Sequence, residues 1–383
     1  MPRKKRHVVA PDGVSVVLHC YTRCVRRAFL CGVDQETQTS YEHRKQWIRD
    51  RLEFLASVFA IDIMGFAVMD NHFHLICRTR HDISDPWTDE EIARRWYRLF
   101  PKRAAVGGKI PEPTKAELDE IMTHRSEGDP AKRIAELRRR LQNVSWLMKA
   151  LCENIAKRAN KEDKVTGAFW EGRFKTQKLL DNEAILACSV YVDLNPVRAN
   201  MAATPEESHF TSAYERIATR QAKQEQARNS RTGKGRVKAK KKSKRVVQSS
   251  VMNHRRDRFL SPLTLPLSYE KDSSGKEDST MACKHRHRAS NKGFLRMTLD
   301  KYLELLDWTG RQIRMDKSGS IPAGLAPILE RLQMSGQTWV DCVKNFGRWF
   351  GWAVGKEQAL VEERDRSGLH RMQSRPQTTA IFG

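Results

Sequence analysis

The amino-acid sequence predicts an α+β chain built around an antiparallel hairpin, and three observations carry that expectation. Residues 14–21 (VSVVLHCY), 61–69 (IDIMGFAVM) and 72–79 (HFHLICRT) are rich in apolar and β-branched residues, as strands are. Only a polar corner, Asp70-Asn71, separates the second and third of these segments, so they should pair as a hairpin. Between and beyond them run stretches of helical period, the strongest over 131–158.

Each element has its own justification. Residues 14–21 read as the first strand. Residues 36–60 carry Trp47, Ile48, Leu52, Leu55 and Phe59 at near-helical spacing and read as a helix. Residues 87–99 read as another helix, with Thr88 as N-cap and Glu91 three residues on. A short helix near 114–123 follows a loop containing Pro and Gly. In 131–158, Ile134, Leu137, Leu141, Val144, Leu147, Met148, Leu151 and Ile155 form one stripe. Residues 182–194 read as a helix ending close to Pro196. Near Thr298 begin three further helical segments, 298–311, 321–333 and 335–355, punctuated by Gly and Pro.

Composition divides the chain. Its 383 residues exceed one typical domain. Between Arg220 and Arg245 stand twelve Lys or Arg against one acid, Glu225. The expected organisation is therefore a first domain over 1–215, a basic and largely disordered linker over 216–295, a helical domain over 296–362 and a tail over 363–383. The formal net charge of +24 favours a polyanionic partner, because Lys and Arg that neutralise phosphates release condensed counterions. No apolar run is long enough for a membrane helix and the N-terminus lacks the apolar stretch of a signal peptide, so a cytoplasmic, membrane-free protein is expected. The eight cysteines are scattered, as reduced core residues would be. Neither His19, Cys20, Cys24 and Cys31 nor Cys283, His285 and His287 shows the paired C-x-x-C spacing of structural zinc.

Two constellations could carry chemistry. In His72-Phe73-His74, side chains two apart on a strand share a face, so both imidazoles point one way and Phe73 the other. Two neutral imidazoles are half of a divalent-metal site, although most H-x-H pairs are incidental. Tyr191 and Asn195 stand four apart, one turn along a helix. A phenol is a poor nucleophile at neutral pH, and a cation that neutralises charge on a phosphate would help it. Asn195 would then offer an amide oxygen as the third ligand. The alternative makes Tyr191 a half-buried aromatic and Asn195 a helix C-cap before Pro196. In FWEGRF, residues 169–174, the aromatics suit a core, while Arg173 and the following Lys175 suit phosphate contact. Arg23, Arg26 and Arg27 after the first strand are either DNA contacts or a solvated turn. Trp308, Trp339, Trp349 and Trp352 fit a core or base-stacking platforms.

NHFHLI at 71–76, FWEGRF at 169–174 and YVDLNPVRANM at 191–201 occur in this order, and together they resemble the single-tyrosine HUH transposases of insertion sequences and of REP-associated repeats. The resemblance spans roughly residues 8–215. It implies an antiparallel sheet flanked by helices, an HUH core of the ferredoxin/RRM-like kind, here followed by the basic linker and the small C-terminal helical domain. It further implies Tyr191 as catalytic nucleophile, His72, His74 and Asn195 as ligands of Mg2+ or Mn2+, and a 5′-phosphotyrosine intermediate. The implied partner is single-stranded, hairpin or repeat-end DNA in a bacterial, nucleoid-associated setting, with a homodimer left open. This chain departs from compact members in its longer segment after the third strand and in about 170 residues after NPV. A second function class stays in view: a non-catalytic nucleic-acid-binding protein on the same scaffold.

Overall fold

The computed structural model describes residues 13–25, 30–34, 36–105, 110–123, 129–231, 255–265, 287–315 and 325–368. Among these, the strands β1 (Val17–Arg23), β2 (Ile61–Val68), β3 (His72–Thr79), β4 (Lys175–Leu179) and β5 (Ala353–Val354) form one sheet. The spatial order is β2-β3-β1-β4-β5. Every pairing is antiparallel except the last, β4 with β5. The hairpin expected at Asp70-Asn71 joins β2 to β3. The α+β fold class is therefore the one the sequence predicts.

The helices are α1 (His43–Ala56), α2 (His81–Ser84), α3 (Asp89–Leu99), α4 (Lys115–Thr123), α5 (Pro130–Leu141), α6 (Val144–Glu162), α7 (Asn182–Asp193), α8 (Asn195–Arg198), α9 (Ser212–Arg231), α10 (Leu299–Met315), α11 (Ala326–Arg331), α12 (Gly336–Trp349) and α13 (Glu357–Arg366). Thr88 caps α3 as expected, accepting from the Glu91 N–H. The stripe expected as one helix over 131–158 breaks into α5 and α6. At the break Asn143 leaves helical geometry, and its side chain accepts from the Ser145 N–H at 2.8 Å, capping α6. Helix α9 runs to Arg231, across the boundary expected at 215/216. The run 232–254, with most of the lysines of the expected linker, lies outside the described residues, as do 266–286.

Side-chain alternation gives the sheet two apolar faces, each covered. Leu18, Cys20, Phe73, Leu75 and Cys77 share a cluster with Leu52 of α1, Leu137 of α5 and Leu151 of α6. On the other face, Ala67, Ile76 and Leu179 share a cluster with α7 and with the C-terminal helices, through Leu305 of α10 and Trp339, Val343 and Phe346 of α12. The C-terminal helices thus contribute to the sheet's second core layer. Trp308 and Trp339 are buried, and Trp349 and Trp352 pack against the two clusters. All four serve packing.

One buried ion network ties the segment around Ser290 to the sheet. Asp62 of β2 pairs with Arg78 at 2.6 Å and Arg80 at 3.2 Å, and accepts from the Ser290 N–H and hydroxyl. Burial would raise this carboxyl's pKa, but the two guanidiniums and their hydrogen bonds hold it below the usual carboxylate value.

Candidate functional site

Register decides which side chains meet. Opposed residues of an antiparallel pair share a face. Tyr21 of β1 stands opposite His74 of β3 and Lys175 of β4, Arg23 opposite His72, and His19 opposite Gln177. Tyr191, on α7, lies over this face. The result is a cleft of about 390 Å³ lined by residues that include His19, His72, His74, Tyr191, Arg23, Arg173 and Lys175. Phe73 points to the opposite face, where its ring meets Trp170 edge-on at 5.7 Å.

Helix α7 owes its start to Asp181, whose carboxylate accepts from the Ala184 N–H at 2.8 Å. Two and a half turns on, Tyr191 is 8% exposed. Its ring meets His74 edge-on at 5.6 Å and stacks on Phe346 of α12 at 5.3 Å. The Arg198 guanidinium lies 4.6 Å from the ring centre, within cation–π range, and also donates to the Lys344 carbonyl at 2.8 Å. Gly347 lines the cleft beside the phenol. A Cβ there would fall 2.7 Å from the Tyr191 hydroxyl, so only glycine permits this approach.

The imidazoles of His72 and His74 are 4.9 Å apart, centre to centre. Asn71 Oδ1 accepts from His72 Nδ1 at 2.5 Å, which leaves the lone pair on His72 Nε2. His74 Nδ1 is bonded to His19 Nε2 at 2.9 Å. His74 Nε2 is buried with no hydrogen-bond partner. Burial, then the positive field of Arg23 and Arg198, holds His72 down at about 4. Burial, with His19 and His72 beside it, puts His74 well below the usual value. Burial brings His19 to about 4 against the raising effect of its Gln177 bond. At neutral pH all three are uncharged, the form in which imidazole binds metal.

These residues fit a divalent ion in part. The test is His74 Nε2, a buried lone pair without a donor, which a histidine satisfied within a core would not retain. With His72 Nε2 it gives two nitrogen donors, and among the described residues no group of three His, Cys, Asp or Glu side chains is arranged around one point. Asn195, expected as the third ligand, is absent from the cleft's lining. Its Nδ2 donates to the Tyr191 carbonyl at 3.1 Å, and Arg198 donates to its Oδ1 at 3.4 Å. In this conformation the amide turns back on a carbonyl of α7's last turn, while the C-cap residue of α7 is Leu194 and Asn195 begins α8.

Of the other expected site residues, Arg23, Arg173 and Lys175 are exposed at the cleft and give it a cationic rim. Arg26 and Arg27 lie outside the described residues. Cys20, Cys24 and Cys31 are buried in the core and none is in a disulfide. Sequence reasoning missed four residues here: His19 as a partner of His74, Gln177 behind it, Arg198 over the phenol, and Phe346 against it. Arg198 had a legible signal, standing seven residues after Tyr191 and so two turns along. Phe346 had none, because its 155-residue separation from Tyr191 closes only in the folded chain.

No known protein-family model matches the chain, and no curated protein sequence matches it. Among solved structures, a REP-associated tyrosine transposase bound to a REP hairpin is similar at 10% identity, covering 57% of this chain and 86% of that one, with a TM-score of 0.33. A score of that size carries no weight for the site, which stands on its own geometry.

Proposed function

We propose that this chain is a metal-dependent transposase that nicks and joins single-stranded DNA, with Tyr191 as nucleophile, His72 and His74 as ligands of Mg2+ or Mn2+, and hairpin or repeat-end DNA as substrate. The observation that carries the reading is the unpartnered, buried His74 Nε2 in one cleft with His72, the Tyr191 phenol and three exposed cations. A bound divalent ion would supply neutralisation of the charge that builds on a phosphate under attack.

The chain's own residues do the rest. Arg23, Arg173 and Lys175 draw a phosphodiester to the cleft mouth. Phe346 and Arg198 hold the phenol ring, so attack needs no search of rotamers. The Tyr191 oxygen forms a bond to phosphorus as the bond from phosphorus to the 3′-oxygen breaks. The phenol loses a proton and the departing 3′-oxygen gains one, leaving a 5′-phosphotyrosine and a 3′-hydroxyl. Attack by a 3′-hydroxyl on that linkage rejoins strands without ATP, because the phosphotyrosine conserves the phosphodiester's energy. For Asn195 to serve as a third ligand, its Oδ1 must leave the 3.4 Å contact with Arg198.

Replacing the nucleophile tests this. Tyr191→Phe should abolish covalent protein–DNA adducts on single-stranded hairpins with Mn2+ while leaving DNA affinity nearly intact. One observation favours a second reading, a non-catalytic nucleic-acid-binding protein: Tyr191 is only 8% exposed, with α12 lying against it. An unmodified protein that binds hairpins tightly yet forms no adduct on any of them supports that reading instead.

A further inference from the structure

Beyond the two histidines expected as metal ligands, the cleft floor holds a chain of hydrogen bonds whose direction can be worked out atom by atom. It starts at the backbone after α12. Gln177 Nε2 lies 3.1 Å from the Phe350 carbonyl oxygen and 2.9 Å from that of Gly351. Carbonyls only accept, so both must receive the amide NH2, and the orientation of the Gln177 side chain is fixed. Its Oε1 then faces His19 Nδ1 at 2.8 Å. An amide oxygen also only accepts, so the proton of His19 sits on Nδ1.

A neutral imidazole carries one N–H, and His19 has now used it. Its Nε2 is therefore a lone pair, and it accepts from His74 Nδ1 at 2.9 Å. That places the single proton of His74 on Nδ1. His74 Nε2 is left as a bare lone pair, and this is the buried atom for which the structure holds no partner. An unconstrained neutral histidine favours the opposite tautomer, with its proton on Nε2. Left to itself, His74 would carry an N–H at this buried atom, and an N–H cannot ligate a cation.

We infer that His19 and Gln177 are positioning residues, which lock His74, a residue of the cleft lining, into the tautomer that leaves Nε2 a lone pair available to a divalent cation. The inference rests on the metal-site reading of His72 and His74 for its purpose, but not for its hydrogen-bond logic. It also assigns work to the C-terminal part of the chain. The Phe350 and Gly351 carbonyls, which immediately follow α12, set the proton position on a β3 side chain through β4 and β1. Opposed placement of His19 and Gln177 across β1 and β4 makes the relay possible, since both side chains rise on the same face. Second-sphere partners of this kind fix ligand tautomer and orientation, and their loss typically costs 10–100-fold in metal affinity.

The test reads tautomers directly. Full-length protein labelled with 15N-histidine and freed of metal gives long-range proton–nitrogen correlation spectra in which protonated and bare ring nitrogens differ. His74 signals are assigned by their loss in His74→Gln. In the unmodified protein the expected pattern is a bare Nε2 on His74 and a protonated Nδ1 on His19. His19→Leu removes the acceptor and should move the His74 proton toward Nε2, with Mn2+ affinity falling about 10–100-fold. His19→Gln restores an acceptor near the lost Nε2 and should recover both readouts.

A protonated His74 Nε2 in the unmodified protein overturns the inference, and this measurement needs no substitution to fold. So does a His74 tautomer that does not change in a folded His19→Leu protein. A bare His74 Nε2 in a protein that binds no Mn2+ leaves the lock standing and removes the metal reading instead.

Discussion

Gly347→Ala is the smallest change that touches the phenol without touching its own residue. The added Cβ would lie 2.7 Å from the Tyr191 hydroxyl oxygen and 3.5 Å from Cζ, so one group must move. The ring is poorly placed to yield, being stacked on Phe346, covered by Arg198 and edge-on to His74. Overpacking of this kind costs about 1–3 kcal/mol. Alanine returns about 1 kcal/mol through its higher helix propensity within α12. The net effect on stability is therefore small, between neutral and about 2 kcal/mol destabilising. The effect on attack is larger, since a displacement of about 1 Å at a reacting group costs about 100-fold. Adduct formation on a labelled single-stranded hairpin, followed by denaturing electrophoresis, should slow by about that factor. The clash needs the hydroxyl, so the same substitution in a Tyr191→Phe background should raise the melting temperature. In the unmodified background it should leave that temperature unchanged or lower it. Equal shifts of melting temperature in the two backgrounds would refute the contact and the argument built on it.

Two further predictions bear on charge. Asp62 has a folded-state pKa below its unfolded value, so its stabilisation is fully present above the unfolded pKa near 3.8 and is lost as pH falls through the lower folded value. Asp62→Asn should flatten the acid limb of a stability–pH profile below about pH 4 and, by leaving Arg78 and Arg80 short of their anion, cost about 3–5 kcal/mol at neutral pH. An unchanged acid limb would contradict the buried network's role. For the rim, Arg173→Ala should weaken binding of single-stranded DNA of any sequence and lower the slope of log affinity against log salt by about 0.7, the value for one phosphate contact. An unaltered slope would remove Arg173 from the interface.

The fold was legible where side-chain pattern and local turn chemistry agreed. The β2–β3 hairpin followed from two apolar segments and a polar corner, and the start of α3 from Thr88. Strand β4 is not legible in the sequence because KTQKL has no apolar–polar alternation and a single β-branched residue, Thr176. Its polar side chains are satisfied only in the fold, Gln177 by the Phe350 and Gly351 carbonyls and Lys178 by Glu363 at 3.1 Å. The break at Asn143 was hidden by an apolar stripe that continues across it. At the site, the shared face of His72 and His74 followed from the period of a strand, and the cleft unites them with Tyr191. Asn195 was harder. Spacing put it one turn from Tyr191, but spacing does not say whether an amide faces outward or turns back on a carbonyl of the preceding helix. His19 and Phe346 depend on pairings across 55 and 155 residues, which no local pattern carries.

All of this turns on whether the phenol in the histidine cleft is the atom that takes DNA. The direct measurement is peptide mapping by mass spectrometry of the covalent product formed by unmodified protein, Mn2+ and a single-stranded hairpin. The expected product is a 5′-phosphate attached to the peptide that contains Tyr191, and none when His72 is replaced by Ala. Attachment at any other residue, or an undiminished Tyr191 adduct in His72→Ala, would contradict it.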